Sequence, residues 1–315
     1  MNKKGMFFTL MTTAFLIIFV FIFMVPGYRR FGERMVAIEM RVESMNDFIK
    51  DLKRDTSRGL YISSFRALMA LEGHIIQEGE FLDDIEKSFR EAVLNGTINN
   101  TNSTLMLFST FPDWIENIQG KAEKFNIQAN ITLHDVYISQ DDPWNIKVSG
   151  NLTFSIRDIT NLASWDMNET INASISIIGF EDPLYIVYTY GRTTNLINKT
   201  PFLGNYTYVS GDGWNVSRLL KEVDESYYKP NTNAPDFLMR FENDLGASPN
   251  GIESLVNLKK LSDLGLEIDI GNSIVDYCYW DGVDGPYRVN FTPSWFMLDN
   301  AHRAGYNVTG LSYIP

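Results

Sequence analysis

Hydrophobic and polar positions change period repeatedly along this chain. From Met6 to Val25 there is no period, because the run contains no charged residue. As a helix rising about 1.5 Å per residue, it spans the roughly 30 Å hydrocarbon layer of a bilayer. It is too long for a signal-peptide core, and Val25-Pro26-Gly27-Tyr28 is a poor cleavage site, so a retained transmembrane anchor is expected over 6–26. After a break at Pro26-Gly27, apolar residues at Tyr28, Phe31, Met35, Ile38, Val42, Met45, Ile49 and Leu52 alternate spacings of three and four. That pattern predicts a helix to about Thr56. Its single seam requires a partner: a copy of itself, another subunit or the chain's own following helices. Gly59 should end it, Leu60 to Ile76 should be buried with His74 as a satisfied core histidine, and Phe81, Ile85, Phe89 and Val93 mark a third helix closed by Asn95-Gly96. Residues 27–94 thus read as a helical stalk.

Phe111 to Phe125 reads as one more amphipathic helix, and then the period falls to two. Ile131 to Ile138 and Ile146 to Ile156 read as strands around an Asp141-Asp142-Pro143 turn, and Ile171 to Ile178 and Leu184 to Tyr190 as two further strands. The fold class expected is α+β. A transmembrane helix (6–26) follows a short leader (1–5) and continues into the stalk (27–94). A helix plus antiparallel sheet forms a head (95–190), and a polar loop or linker (191–210) leads to a second, mixed α+β C-terminal unit (211–315). In that last unit Trp214 to Glu225, Gly251 to Leu264 and Trp295 to His302 are expected as helices, Phe237 to Phe241 as an apolar stretch and Ser273 to Trp280 as a strand.

Composition adds three constraints. Hydrophobic content of 44% fills real cores, so a disordered chain is excluded. A formal charge of −12 excludes nucleic acid as a partner, since phosphate binding needs a basic face. Cys278 is the sole cysteine, so the chain forms no internal disulfide; its aromatic, strand-like context makes it a small buried apolar residue.

Charge does not orient the anchor, because Lys3 and Lys4 on one side face Arg29, Arg30 and Arg34 on the other. Asn-x-Ser/Thr does. The motif occurs at Asn95, Asn99, Asn102, Asn130, Asn151, Asn168, Asn172, Asn198, Asn205, Asn215, Asn290 and Asn307, twelve times in all. Random placement of the 27 Asn and 42 Ser plus Thr yields about 3.6. None precedes residue 95. N-linked glycans, and hence an extracellular location for the bulk with the N-terminus cytoplasmic, are the expectation.

Lys3-Lys4-Gly5 directly before the apolar run resembles the class III signal peptide of archaeal type IV pilin-like proteins. The resemblance implies cleavage between Gly5 and Met6, a retained helix running into a stalk with a β-rich head, and association with other pilin-like subunits. It covers roughly residues 1–60 by motif. Many pilins carry Glu at the fifth mature position, where this chain has Leu10, and the chain is large for a repeating subunit. The resemblance therefore implies a minor, tip or non-assembling member.

For chemistry, the most site-like group is Trp280, Asp281, Asp284, Asp299 and His302. Asp281 and Asp284 offer oxygens to calcium, and Asp299 and His302 would share a helix face at i, i+3. Asp-Gly is also ordinary turn chemistry, and the chain has no phosphate loop, metal-spaced Cys/His set or nucleophile elbow. No catalytic residue, metal or cofactor is expected. The function expected is a membrane-anchored, glycosylated surface protein, structural or adhesive. The alternative is a membrane-tethered extracellular carbohydrate-binding module or hydrolase acting through the C-terminal unit.

Overall fold

The computed structural model describes residues 3–210 and 213–315, without the side chains of residues 3, 4 and 25–34. Met1 and Asn2 of the expected leader, Gly211 and Asp212 at the expected linker boundary, and the seam side chains of Tyr28 and Phe31 lie outside the described residues. The protein is mixed α+β. Two compact units are distinguished: Met1–Asp55 with Ile118–Ile131 and Phe154–Met167, and Thr56–Asn117 with Thr132–Thr153 and Asn168–Pro315.

The first element, α1, runs Lys3–Glu78 as one helix of 76 residues. Its stretch Gly5–Met24 has a mean hydropathy of 2.5 and is wholly exposed, long and apolar enough to cross a membrane. The polar side chains in this stretch are Thr9, Thr12 and Thr13, and each hydroxyl donates back to a carbonyl three or four residues earlier. Such back-bonding leaves no hydroxyl unsatisfied in an apolar surrounding. Neither Pro26-Gly27 nor Gly59 ends α1, contrary to expectation. At Gly59 the reason is packing: an added Cβ would sit 2.0 Å from Trp114 Cδ1. The glycine makes room for the indole and does not stop the helix.

In the first unit the seam is covered over Met45, Ile49 and Leu52 and exposed at Met35, Ile38 and Val42. Arg41 is tied there to Asp158 at 2.7 Å, and it also donates to the Phe125 and Asn126 carbonyls. In the second unit Leu60, Ala67, Leu68, Leu71 and Ile75 are buried, whereas Tyr61, Met69 and Ile76 of the run expected to be buried are exposed. His74 is only half-buried and meets Asn99 Nδ2 at 3.4 Å, so it is not the core histidine expected.

Helix α2 (Ile85–Asn95) is capped by Asp84, which accepts from Lys87 N, and closed by Gly96 in the left-handed conformation. A short hairpin, β1 (Thr97–Ile98) and β2 (Thr101–Asn102), leads to α3 (Phe111–Glu123), which starts on a reciprocal capping box between Thr110 and Asp113. Strands β3 (Ile127–Asp142), β4 (Asn145–Asp158) and β5 (Ser164–Ser176) form a sheet in that order. Only Pro143 and Trp144 join β3 to β4, a connection that antiparallel strands alone permit. Burial in β3 changes phase between Leu133 and Val136, with Asp135 Oδ1 accepting from Val136 N. One extra residue per strand face is what a bulge inserts.

The remainder departs most from expectation. Leu184 to Tyr190 is not a strand: α4 spans Pro183–Tyr188, because Asp182 caps Leu184 N and Pro183 fits the first helical position. Residues 191–210 contain one short strand, β6 (Tyr208–Ser210), yet Ile197 exchanges backbone hydrogen bonds with Gly179 and Phe180, and Tyr206 is fully buried. Strand β7 (Gly213–Asn215) precedes α5 (Ser217–Asp224), and β8 (Lys229–Pro230) is followed by α6 (Phe237–Phe241). Only Leu258–Asp263 of the expected 251–264 helix is helical, as α7; Ile252–Glu253 is strand β9, paired with β8. The expected strand at Ser273–Trp280 is helix α8 from Asp276 to Trp280, so Cys278 is buried on a helix. The last elements are β10 (Tyr287–Val289), β11 (Met297–Leu298), α9 (His302–Gly305) and β12 (Ser312–Tyr313), so only the end of the expected 295–302 helix is helical. Elements this short carry no readable period, and their packing around Leu219, Val256, Ile274, Phe296 and Leu298 decides them.

Replacing Gly59 by alanine normally favours a helix by about 1 kcal/mol. Here Gly59→Ala is expected to destabilise by about 1–3 kcal/mol through overpacking against Trp114, and Trp114→Leu in the same chain to restore most of it. Urea midpoints of the three variants check this, and a stabilised Gly59→Ala would refute the packing account.

Candidate functional site

Charged side chains in the interior of the second unit form two adjoining clusters. The first is built on Arg240, held in α6 with no solvent exposure. Its Nη1 donates to Asp182 Oδ2 at 2.6 Å and to Asp276 Oδ2 at 3.0 Å, and its Nη2 donates to the Ile252 carbonyl. Tyr228 donates to Asp182 at 2.7 Å, and Ser254 donates to Asp276 through both its N–H and its hydroxyl. Asp182 at the head of α4 and Asp276 at the head of α8 therefore both cap a helix or its first turn and neutralise a guanidinium.

His302 forms the second cluster. Its Nδ1 lies 2.6 Å from Asp299 Oδ2; its Nε2 lies 2.9 Å from Tyr277 Oη and 3.2 Å from Glu253 Oε2. Glu253 Oε1 is paired with Lys229 Nζ at 3.0 Å, and that ammonium sits 3.9 Å over the Tyr306 ring. Asp299 further accepts from Ser273 Oγ and Ala301 N. Burial alone would lower the His302 pKa, but the hydrogen bonds to Asp299 and Glu253 outweigh it and raise it to about 9. Burial likewise works to raise Asp299, and the bonds from His302 and Ser273 hold it at about 2. Burial pushes the Cys278 thiol far up, and the Asp299 charge adds to that.

This arrangement has defined chemical limits. With both ring nitrogens engaged and the imidazole charged at neutral pH, His302 accepts no further proton. A thiol held protonated is a poor nucleophile. Cys278, Asp299 and His302 do bring one potential ligand atom each within 4.8 Å of one another, and among the described residues this set is the one that would hold a metal. In this structure two of those ligand atoms, His302 Nδ1 and Asp299 Oδ2, lie within hydrogen-bond distance of each other at 2.6 Å.

The five residues that the sequence groups together are thus dispersed. Asp299 and His302 meet, though Asp299 precedes α9 and does not share its face. Trp280 stacks on Tyr188, with ring centroids 4.8 Å apart, in an aromatic packing group. Asp281 and Asp284 stand exposed at the turn after α8, and neither joins a metal-type cluster among the described residues. Glu253, Arg240, Lys229, Asp182 and Asp276 were not singled out. A charge inside an apolar run was the available signal, in Phe237-Leu-Met-Arg-Phe241 and in Gly251-Ile-Glu-Ser-Leu-Val256. Gly5 and Met6 lie in the first turns of α1, and of the twelve sequon asparagines ten are exposed and two, Asn151 and Asn215, are half-buried.

Removing one partner of a buried charge set strands the others. Arg240→Met should cost about 3–5 kcal/mol in a denaturant titration, and adding Asp182→Asn and Asp276→Asn should recover much of it. A single-variant cost below about 1 kcal/mol would show the pair to be unimportant.

The same groups set a pH dependence. The contribution of charged His302 is complete below its ordinary 6.5 and is lost as pH rises through about 9. Glu72, raised to about 8 mainly by burial, and Glu222, raised to about 7 likewise, lose stability as pH rises above 4.5. Asp299 contributes above 3.8 and fails as pH falls toward 2. The signs agree on a stability maximum near pH 4–5 and a melting temperature about 5–10 °C lower at pH 9. A melting temperature that rises from pH 5 to pH 9 would contradict these assignments.

Compared with protein-family models, curated proteins and solved structures, the chain matches none.

Proposed function

We propose that the chain is a membrane-anchored, glycosylated surface protein of type IV pilin-like organisation, serving as a structural or adhesive envelope component or a minor filament subunit. The observation that carries this reading is the stretch Gly5–Met24, twenty residues without a charge, all exposed, with every hydroxyl satisfied inside its own helix. A soluble protein gains nothing from such a surface, whereas a bilayer requires it. The twelve sequons, all beyond residue 94 and none buried, support an exterior location for the bulk and a cytoplasmic N-terminus.

The finer features follow from the same reading. Lys3-Lys4-Gly5 is the processing signal, with Met6 as the mature N-terminus. The exposed part of the seam, Met35, Ile38 and Val42, is the contact for a second copy or another pilin-like subunit. The interior clusters of Arg240 and His302 serve the fold, and no reaction is assigned to them.

Mass spectrometry of the protein from native membranes tests this. The expected N-terminal peptide begins at Met6, in the membrane fraction, with glycans on sequons beyond residue 94. A chain starting at Met1 would remove the processing claim, and bare asparagines throughout would remove the exterior assignment.

A further inference from the structure

On the exposed face of the β3–β5 sheet the sequons are not independent. Thr153 Oγ1 donates to Asn168 Oδ1 at 2.7 Å, and Thr170 Oγ1 donates to Asn151 Oδ1 at 2.8 Å. Thr153 is the hydroxyl residue of the Asn151-Leu-Thr sequon, and Thr170 that of the Asn168-Glu-Thr sequon. Each sequon thus gives its hydroxyl to the asparagine of the other, across β4 and β5. Ser149 Oγ continues the ladder to Asn172 Oδ1 at 2.7 Å, and His134 Nε2 meets Thr153 Oγ1 at 2.7 Å. All three asparagines use Oδ1 as the acceptor, and their Nδ2 atoms have no acceptor among the described residues. β4, which carries Asn151, is the central strand.

We propose that Asn151 and Asn168 receive N-glycans only before β4 pairs with β5, and that the ladder then closes over the modified amides. The inference rests on the glycoprotein reading above. A transferase that reads Asn-x-Ser/Thr engages the asparagine together with the hydroxyl two residues on. In the ladder both groups of each sequon are bonded to the opposite strand, so exposing one sequon breaks the same two hydrogen bonds as exposing the other. They unlock together or not at all.

The finished linkage is compatible with the closed ladder. Asn Nδ2 forms a bond to the anomeric carbon of a lipid-phosphate-linked oligosaccharide. The carbon–oxygen bond to phosphate breaks, the lipid phosphate leaves with the electron pair, and one Nδ2 proton passes to a base of the transferase. Oδ1 is untouched and still accepts from Thr170 or Thr153. Finished glycans therefore stand on a sheet face whose amide planes are held by cross-strand hydroxyls.

The test uses the full-length chain in detergent, purified from a host without the transferase and shown to melt cooperatively. It is incubated with an oligosaccharyltransferase and its lipid-linked oligosaccharide, beside the same chain in denatured form. Occupancy is read site by site. Asn102, an exposed sequon whose hydroxyl residue Thr104 is also exposed, should be modified in both forms. In the folded chain Asn151 and Asn168 should be modified at least about ten-fold more slowly than Asn102, the factor that an opening cost of about 1.4 kcal/mol imposes, and in the denatured chain at a similar rate. Native membranes should show both sites occupied. Equal rates in the folded chain overturn the proposal, as do bare Asn151 and Asn168 in native material whose Asn102 is occupied. Bare asparagines at all twelve sites overturn the glycoprotein reading and this inference with it. If the unmodified chain does not fold, pulse-labelled cells decide: glycans on Asn151 and Asn168 should precede protease resistance, and their arrival after it refutes the order.

Discussion

The Arg240 guanidinium, buried between Asp182 and Asp276, is the constraint on which the C-terminal part of the second unit depends. Beyond residue 177 no described helix is longer than the eight residues of α5, and no described strand is longer than three. Backbone ladders this short cannot fix their own relative positions. A guanidinium can, because desolvating an ion costs several kcal/mol and is offset only when every partner is in place. Arg240 draws α4, α6, α8 and the carbonyl of Ile252 to one point. Competing arrangements would leave at least one buried charge alone. That is specificity obtained from an interaction that adds little net stability.

The His302 cluster extends the same logic through one strand. Successive side chains of an extended segment point to opposite sides. Along Glu253-Ser254, Ser254 serves Asp276 while Glu253 serves Lys229 and His302. Helix α8 divides likewise, Asp276 to Arg240 and Tyr277 to His302. Three cations, Arg240, Lys229 and His302, thus meet four carboxylates, Asp182, Asp276, Glu253 and Asp299. The surplus acid explains why His302 is held protonated at a position where burial alone would neutralise it.

What the sequence discloses follows from what has a period. α2, α3 and the β3–β5 sheet were legible because burial repeats over ten residues or more, and the change of burial phase in β3 coincides with the three-residue step from Leu133 to Val136. Gly59 misled because a glycine in a helical pattern usually marks an end, and its true cause is an indole more than fifty residues away in sequence. Leu184-Tyr-Ile-Val-Tyr188 reads as strand by composition, yet Asp182-Pro183 starts a helix there. At the candidate site, Asp299 and His302 were visible as neighbours in sequence. Glu253, Arg240 and Asp182 were not, since long-range pairing of buried charges leaves no local pattern. The only trace is a charge in an apolar run, which is also how a snorkelling surface residue looks.

Polar groups in this chain meet three different surroundings, and each is handled by a different hydrogen-bonding rule. Along Gly5–Met24, a stretch long and apolar enough to cross a membrane, Thr9, Thr12 and Thr13 turn to their own backbone, as an apolar surrounding would require. In the interior of the second unit a carboxylate cannot be satisfied locally, so cations are brought to it from distant segments. On the sheet face water satisfies everything, and yet Asn151, Asn168, Thr153 and Thr170 bond one another. The third case is the informative one. Exposed cross-strand pairs contribute only about 0.2–1 kcal/mol each, so stability alone is weak grounds for a reciprocal set of amides and hydroxyls there. Under the proposed glycoprotein reading the arrangement has a use, because it fixes Oδ1 and leaves Nδ2 without a hydrogen bond and able to carry a glycan.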